Sequence, residues 1–466
     1  MIHNLKLTIW LKRIALALLL SVFEIQLSTS FAQGSLTPPG PPGPTMLTLS
    51  QVEPRIPISS VPITIYGSGS YYLTGNLNMT SNANAITIEG SFVTIDLNGY
   101  GIYGQTGGSC AIAISNSVQN VTVHNGLFYY WGTAIQGANA ACSTFENLQC
   151  NSCFQNGLTI GVNSTVHNCV VNDAAIGGGG DGILAGDGSV VTGCAVLNDF
   201  NHDSDGIVVG RNCVVDSSTS TSNAVGILTS DGTKVHGCSA VGSVLYGFQT
   251  SSGCTISECT AWKNGSGGVG LPAISAGGGC TISGCTVGLN SSGINAGLGC
   301  AIKDCTVLSN AVYGVNAGNG CTISDCTANY NTNGIIANSE CTITGCTASA
   351  DDIDGIQAFY SCLIKGNTCS SNSRYVTTGG AGIEVFYSGS RIEGNVLNSN
   401  QYGIKADGTE NFIIANTVRS SGSDNYDIVS GNMVDTIISA PSSGAILGPT
   451  GGTSFGTTDP WANFSY

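Results

Sequence analysis

The sequence predicts an all-β chain: a single-stranded right-handed parallel β-helix, a β-solenoid with three short strands in each coil of about 20–21 residues. Three observations predict it. A glycine followed by an apolar residue recurs at Gly157, Gly182, Gly206, Gly226 and Gly247, then at Gly293, Gly314, Gly334, Gly355, Gly382 and Gly403, mostly in steps of 20 or 21. A second phrase keeps step with it: Cys254-Thr-Ile-Ser-Glu-Cys259, Cys280-Thr-Ile-Ser-Gly-Cys285, Cys300-Ala-Ile-Lys-Asp-Cys305, Cys321-Thr-Ile-Ser-Asp-Cys326 and Cys341-Thr-Ile-Thr-Gly-Cys346. Inside each phrase apolar and small polar residues alternate, the period of a half-buried strand.

Each coil therefore holds three strands, Gly-Ile-x-Ala, Cys-Thr-Ile-Ser and Thr-Val-x, separated by bends. No coil can bury its apolar face alone, but stacked coils pair their backbones and merge their Ile and Val residues into one core. Roughly fifteen coils at about 4.8 Å per strand give a length of some 70 Å. The spaced leucines and helical stretch of a leucine-rich repeat are missing, and a propeller blade needs about twice this period.

Along the chain, residues 1–32 read as a signal peptide. Lys6, Lys12 and Arg13 precede the apolar run Ile14 to Leu20, and Ser30-Phe31-Ala32 offers small residues for cleavage. Glu24 and Gln26 interrupt the run before it reaches the roughly 20 residues a membrane span needs, and no later segment can cross as a helix. Residues 33–62 form a Pro/Gly-rich lead-in, with Pro38-Pro39-Gly40-Pro41-Pro42-Gly43-Pro44 at its centre. The solenoid is expected over 63–439. Residues 440–466 make a tail whose Trp461, Phe464 and Tyr466 are available to cap the last coil. The expected location is secreted or cell-surface, and the expected state a monomer.

Composition narrows the partners. Of 466 residues 66 are glycine and only 9% are charged, with Asn, Ser and Thr supplying the polarity of turns and sheet surfaces. The formal charge is −15, and loss of the signal's three cations and one anion takes it to −17. Such a surface repels phosphate backbones, which excludes nucleic acid. It also repels an acidic polysaccharide unless a cation bridges the two.

The 20 cysteines follow the coil period rather than a disulfide framework. Cys254, Cys280, Cys300, Cys321, Cys341 and Cys362 should stack in one column, and the cysteines at the following bend in another. Neighbouring Cα atoms would lie within disulfide range, but their Cβ atoms point the same way. Buried free thiols and some disulfides both stay open. Cys150 and Cys153 have no second pair or nearby His to complete a metal site.

The phrase Ile-x-Gly-Asn, as in Ile364-Lys365-Gly366-Asn367 and Ile392-Glu393-Gly394-Asn395, resembles the parallel β-helix repeat of the pectin-lyase-like superfamily. Cys259, Cys285, Cys305, Cys326 and Cys346 occupy the position that Asn367, Asn395 and Asn416 hold later. Gly69 to Leu77, followed by Val93 to Gly99, is similar to the first coils of secreted bacterial β-helix proteins of unassigned activity. The resemblance runs from about Ile63 to Ser439. It implies the fold and, more loosely, a polysaccharide lyase or glycoside hydrolase, since one fold hosts many chemistries.

Insertions locate a candidate site. Long connections precede the Gly-Ile strand at Asn172 to Asp181, Asn198 to Asp205, Trp262 to Pro272 and Ser370 to Ala381, so they project from one side. Two of them are acidic. Asp181, Asp199, Asp203 and Asp205 are the candidate catalytic residues, because Asp181 and Asp205 should stack on adjacent coils, where close carboxylates need a cation or a shared proton. Asn201, Asp203 and Asp205 are the candidate calcium ligands, on alternate residues before a turn glycine, although Asn212 stands where an acid would close the loop. Asp205-Gly206-Ile207 resembles part of the Asn-Thr-Asp-Gly motif of polygalacturonase-type hydrolases; their Gly-His-Gly and Arg-Ile-Lys phrases are only echoed at Val235-His236-Gly237 and Arg391-Ile392-Glu393.

A lyase would want a basic residue, and Arg211 and Lys234 are the nearest. The spacing of Arg211 also fits a salt-bridge ladder with Asp187 and Asp231. Trp262, Tyr375 and His202 are candidate substrate contacts, Trp262 and Tyr375 from within insertion loops. His167 and His236 share a strand position three coils apart, too distant to cooperate. The functional expectation is a secreted protein that binds or acts on extracellular polysaccharide or a cell-envelope component, calcium-assisted in one version. The alternative is a non-catalytic adhesive solenoid. The outward hydroxyls of Thr255/Ser257, Thr281/Ser283, Thr322/Ser324 and Thr342/Thr344 add a remote ice-binding reading.

Overall fold

The computed structural model describes residues 54–105, 109–197, 204–373, 379–439 and 459–466. Contacts divide the chain into Met1–Pro54 and Arg55–Tyr466; the second unit is a right-handed parallel β-solenoid. The signal region, most of the lead-in and most of the tail lie outside the described residues.

The described residues form 51 strands and no helix. One coil shows the plan: Tyr246–Thr250, Thr255–Ser257 and Thr260–Trp262, each hydrogen-bonded to its counterpart in the next coil. The Gly-Ile strands stack in parallel as a sheet of 17 members, from Ile63–Ile65 to Asp424–Ile428. That stack is open at both ends. Its first strand pairs only with Ile86–Ile88 and its last only with Tyr402–Ala406. The Cys-Thr-Ile and Thr-Val columns form a 34-stranded sheet, joined where Val121–Tyr129 and Thr144–Asn151 run through the bend between them. There are thus about two coils more than the sequence suggested, because the first coils lack the glycine phrase. Pairing already begins at Ile56–Ile58, which aligns with Tyr71–Leu73. At the other end Asn463–Ser465 pairs with Thr417–Arg419 and Ile437–Ser439.

Inward residues make a continuous core: Ile294, Ile302 and Val307 from one coil, Val315, Ile323 and Ala328 from the next, all without exposure. The bend between the second and third strands needs one residue in the left-handed region. Glu258, Gly284, Asp304, Asp325, Gly345, Gly366 and Gly394 supply it with φ between 54 and 65°, which explains the glycine of Ile-x-Gly-Asn. The next residue turns inward and closes backbone groups of the neighbouring coil. Asn395 Oδ1 accepts from the Asn367 N–H at 2.9 Å, Asn416 Oδ1 from Asn395 at 3.0 Å, and Asn367 Oδ1 from Cys346 at 2.9 Å.

Cysteine fills the same place in earlier coils, and a second cysteine column lies before the Thr-Ile strand. All 20 thiols are free, 18 of them buried, with Cys110 half-buried and Cys142 exposed. Each column thiol has a hydrogen-bonding task. Cys300 Sγ donates to Gly277 O at 3.1 Å and accepts the Cys280 N–H at 3.3 Å; Cys321 repeats this at 3.0 and 3.3 Å. The column continues as Ser390 and Asn411. A small group that both donates and accepts is what the position requires.

The third bend carries another ladder, Asn264, Asn290, Asn310, Asn331, Asp351, Asn372 and Asn400, bonded coil to coil. Its asparagine amides donate to carbonyls of the preceding coil, as Asn372 Nδ2 does to Ala348 O at 3.0 Å. Asp351 has no exposure, and its Oδ2 stands where the others place that amide, without a hydrogen-bond partner. Burial pushes this carboxyl up to about 8.

The proposed Asp187–Arg211–Asp231 salt-bridge ladder does not form. Asp187 Oδ1 accepts the backbone N–H of Arg211 at 2.7 Å and Asp231 Oδ1 that of Ser252 at 3.0 Å, so the two acids cap turns. Among the described residues the Arg211 guanidinium joins no ion pair.

Candidate functional site

Two places on the Gly-Ile sheet hold stacked carboxylates. The first is the pair read from the sequence. Ile183 aligns with Ile207, which puts Asp181 and Asp205 on adjacent coils at the mouth of the insertion loops. The Gly182 N–H donates to Asp205 O at 3.0 Å. Both carboxyls are pushed up, first by burial and, at Asp181, then by the charge of Asp205. Asp205 Oδ1 accepts the Val225 N–H at 3.0 Å, as Asn156 Oδ1 accepts that of Asp181 at 2.7 Å. One oxygen of Asp205 therefore serves the fold. The outward residues beside the pair are Leu184, Val208 and Leu228. Arg211 lies in a bend and Lys234 on the second strand of its coil, so neither shares this face.

Asp199, Asn201, His202, Asp203 and Tyr375 lie outside the described residues. Of the calcium candidates only Asp205 is described. No cluster of three or more His, Cys, Asp or Glu among the described residues has the arrangement to hold a metal. Trp262 is not in its insertion loop. It ends the strand Thr260–Trp262, and its ring lies over Gly288 of the next coil, where an added Cβ would meet Cζ3 at 2.4 Å. His167 and His236 are three coils apart on the second strand, as their register requires.

The second place is chemically richer. Asp354 precedes Gly355, in the position Asp181 and Asp205 hold earlier, and the aligned outward residues Gln357, Glu384 and Lys405 run across three coils. Asp354 and Glu384 are buried, at 1% and 4% exposure. Asp354 Oδ1 accepts the Ala381 N–H at 2.7 Å. Burial and the neighbouring Glu384 push Asp354 up to about 8. Glu384 is also raised by burial, against the pull of Lys405. Lys405 Nζ donates to Glu384 and, at 2.8 Å, to Asp407. The row thus runs from two buried carboxyls held above their ordinary range, Asp354 and Glu384, to Lys405 as the cation and Asp407 as the exposed acid. Both carboxyls are buried and already engaged, Asp354 Oδ1 by the Ala381 N–H and Glu384 by Lys405, which does not suit a pair that must work across a glycosidic bond.

Aromatic rings adjoin this row. Ala358-Phe359-Tyr360-Ser361 and Val385-Phe386-Tyr387-Ser388 fall on the same bend of adjacent coils. Tyr360 and Tyr387 stack with centroids 4.2 Å apart and planes within 2°, and Phe359 stacks on Phe386 at 5.4 Å. The tyrosines are 45% and 44% exposed. Register places Asp407 and Gly408 beside Phe386 and Tyr387. Gly408 touches the Tyr387 backbone, and an added Cβ would lie 2.3 Å from its carbonyl carbon, so no side chain from this position covers the tyrosine. A second aromatic group, Tyr103, Tyr129, Tyr130 and Phe154, has its rings tilted by 53–58° and presents no common plane. The sequence signal for the first group was the Phe-Tyr-Ser repeat 27 residues apart, overshadowed by the insertions.

This architecture defines the right-handed parallel β-helix class, and comparison with known proteins agrees. The family described as "Right handed beta helix region" matches residues 273–421, a stretch that includes the Asp354–Lys405 row. Among solved structures the chain is similar to the mannuronan C-5 epimerase AlgE6 A-module of Azotobacter vinelandii, at 13% identity over 81% of this chain and 92% of that one, with a TM-score of 0.32. It is also similar to PfbA, a surface adhesin of Streptococcus pneumoniae, at 10% identity over 78% of this chain and 84% of that one, with a TM-score of 0.29. None of the curated proteins compared matches the chain.

Proposed function

We propose that this is an exported β-helix protein that binds extracellular polysaccharide on the surface formed by Tyr387, Gly408 and Asp407. Tyr360 backs the outer tyrosine, and the Asp354–Glu384–Lys405 row fixes the Asp407 carboxylate. The observation that carries this reading is the parallel, half-exposed tyrosine stack beside a side-chain-free glycine and a held carboxylate. A sugar ring offers an apolar C–H face to an aromatic ring and hydroxyls to a carboxylate, and such a surface meets both needs. Sequence export features and the lack, among the described residues, of a helix long and apolar enough to cross a membrane accord with an extracellular partner. The burial of Asp354 and Glu384 and their engagement with the Ala381 N–H and Lys405 favour binding over hydrolysis at this row. The Asp181–Asp205 face stays a separate candidate for chemistry.

The test is affinity electrophoresis through gels containing polysaccharide, comparing the protein with Tyr387→Ala and Tyr360→Ala. Retardation should fall at least tenfold in apparent affinity for Tyr387→Ala, about 1.4 kcal/mol, and less for Tyr360→Ala, with thermal stability little changed. Equal retardation of all three proteins would remove this surface from the account.

A further inference from the structure

This inference rests on the glycan reading above and names the class of chain the surface accepts. We infer that the polysaccharide is uncharged. The argument is one of electrostatic supply. An acidic glycan needs an uncommitted cation for its carboxylates, or a metal ion between carboxylates.

Of the four described cations on these coils three are already engaged; the fourth, Arg419, joins no ion pair among the described residues but ends the third strand of its coil and belongs to the other sheet. Lys405 is held between Glu384 and Asp407. Lys365 lies 3.1 Å from Glu393, and Arg391 Nε donates to the same carboxylate at 2.6 Å while its guanidinium sits over the Phe412 ring at 4.8 Å. Burial of the lysine stem and two carboxylates hold Lys405 in place. A uronate there would be a third carboxylate competing for one ammonium beside Glu384 and Asp407, and loss of the Glu384 bond would leave a buried carboxylate unpaired, which is strongly unfavourable.

The acids on this side are not balanced by anything further along. Asp427 aligns with Lys405, and Asp424 with Tyr402, in the last coil of the sheet. An approaching polyanion therefore meets Asp407, Asp424 and Asp427. A neutral sugar does not need any of these pairs to open. It packs a C–H face on the Tyr387 ring and gives a hydroxyl proton to Asp407, whose side chain is 39% exposed and has capacity beyond its bond to Lys405.

The deciding experiment compares gels cast with a neutral β-glucan, a neutral galactomannan, polygalacturonate or alginate, at low and at 0.5 M salt, with and without calcium. The expected result is retardation by at least one neutral polymer, unchanged by salt and reduced at least tenfold in Tyr387→Ala, with neither acidic polymer retarding the protein. Retardation by polygalacturonate or alginate that weakens in salt or requires calcium, and is lost in Tyr387→Ala, would overturn the neutral assignment while leaving a glycan surface in place. Absence of retardation by all four polymers would overturn the glycan reading and this inference together.

Discussion

Replacing Asp351 by Asn should stabilise the protein, and by more as the pH rises. In the ladder from Asn264 to Asn400, each asparagine accepts from the coil before it through Oδ1, and those with a resolved amide bond donate through Nδ2 to a carbonyl. At Asp351 the accepting half is intact: Oδ1 takes the Asn331 N–H at 2.7 Å and its Nδ2 at 3.2 Å. The donating half is an oxygen without a partner. Register places the carbonyl of Ala328 opposite it, so only the protonated acid makes a favourable contact.

The sign follows from a folded-state carboxyl at about 8 against an ordinary 3.8. With the folded value raised, the stabilising contribution is fully present below pH 4 and is lost as pH climbs through about 8. Each unit corresponds to about 1.4 kcal/mol, which gives a ceiling of roughly 4 kcal/mol at pH 7. Local relaxation will lower it, so a gain of about 1–3 kcal/mol is the expectation for Asp351→Asn at pH 8. The assay is denaturant unfolding of both proteins at pH 5 and pH 8, scored as the difference between them so that Asp354 and Glu384 cancel. A difference that does not grow with pH, or a variant less stable at pH 8, would refute the reasoning.

Other outcomes follow from the same packing. A thiol reagent should modify Cys142 quickly, Cys110 slowly and the column cysteines only after denaturation, because burial keeps thiols such as Cys150 and Cys369 protonated; fewer than 20 reactive thiols in denaturant would reveal disulfides. Gly288→Val should cost about 1–3 kcal/mol and shift tryptophan emission to the red, since its Cβ branch displaces the Trp262 ring; unchanged emission would place that ring elsewhere. Lys405→Met should destabilise by about 3 kcal/mol at neutral pH and less in acid, where Glu384 is protonated. Equal loss at both pH values would show that Lys405 acts through packing alone.

The fold was legible because its information is periodic. Gly293, Gly314 and Gly334, and Cys280, Cys300 and Cys321, recur at the coil period, so sequence spacing maps directly onto spatial neighbours. The same logic placed Asp181 against Asp205 and put four insertions on one bend. It did not show which side chains turn outward beside them. The Leu184–Val208–Leu228 column and the commitment of Asp205 to Val225 are properties of register and hydrogen bonding. Asp354, Glu384 and Lys405 are 30 and 21 residues apart, with an insertion between the first two, and Glu384 reads in isolation as an ordinary surface acid. Trp262 misled because it borders its loop, yet a glycine opposite in the next coil holds it on the strand. The Asn290–Asn400 ladder passed unnoticed beside the cysteine columns, since Asn at a bend is also explained by local turn chemistry.

The most direct test is a crystal structure with a bound oligosaccharide cut from whichever polymer retards the protein. The proposed function predicts a sugar ring packed on Tyr387 above Gly408, with a hydroxyl within hydrogen-bond distance of Asp407. A sugar seated between Asp181 and Asp205, with Tyr387 bare, would contradict it.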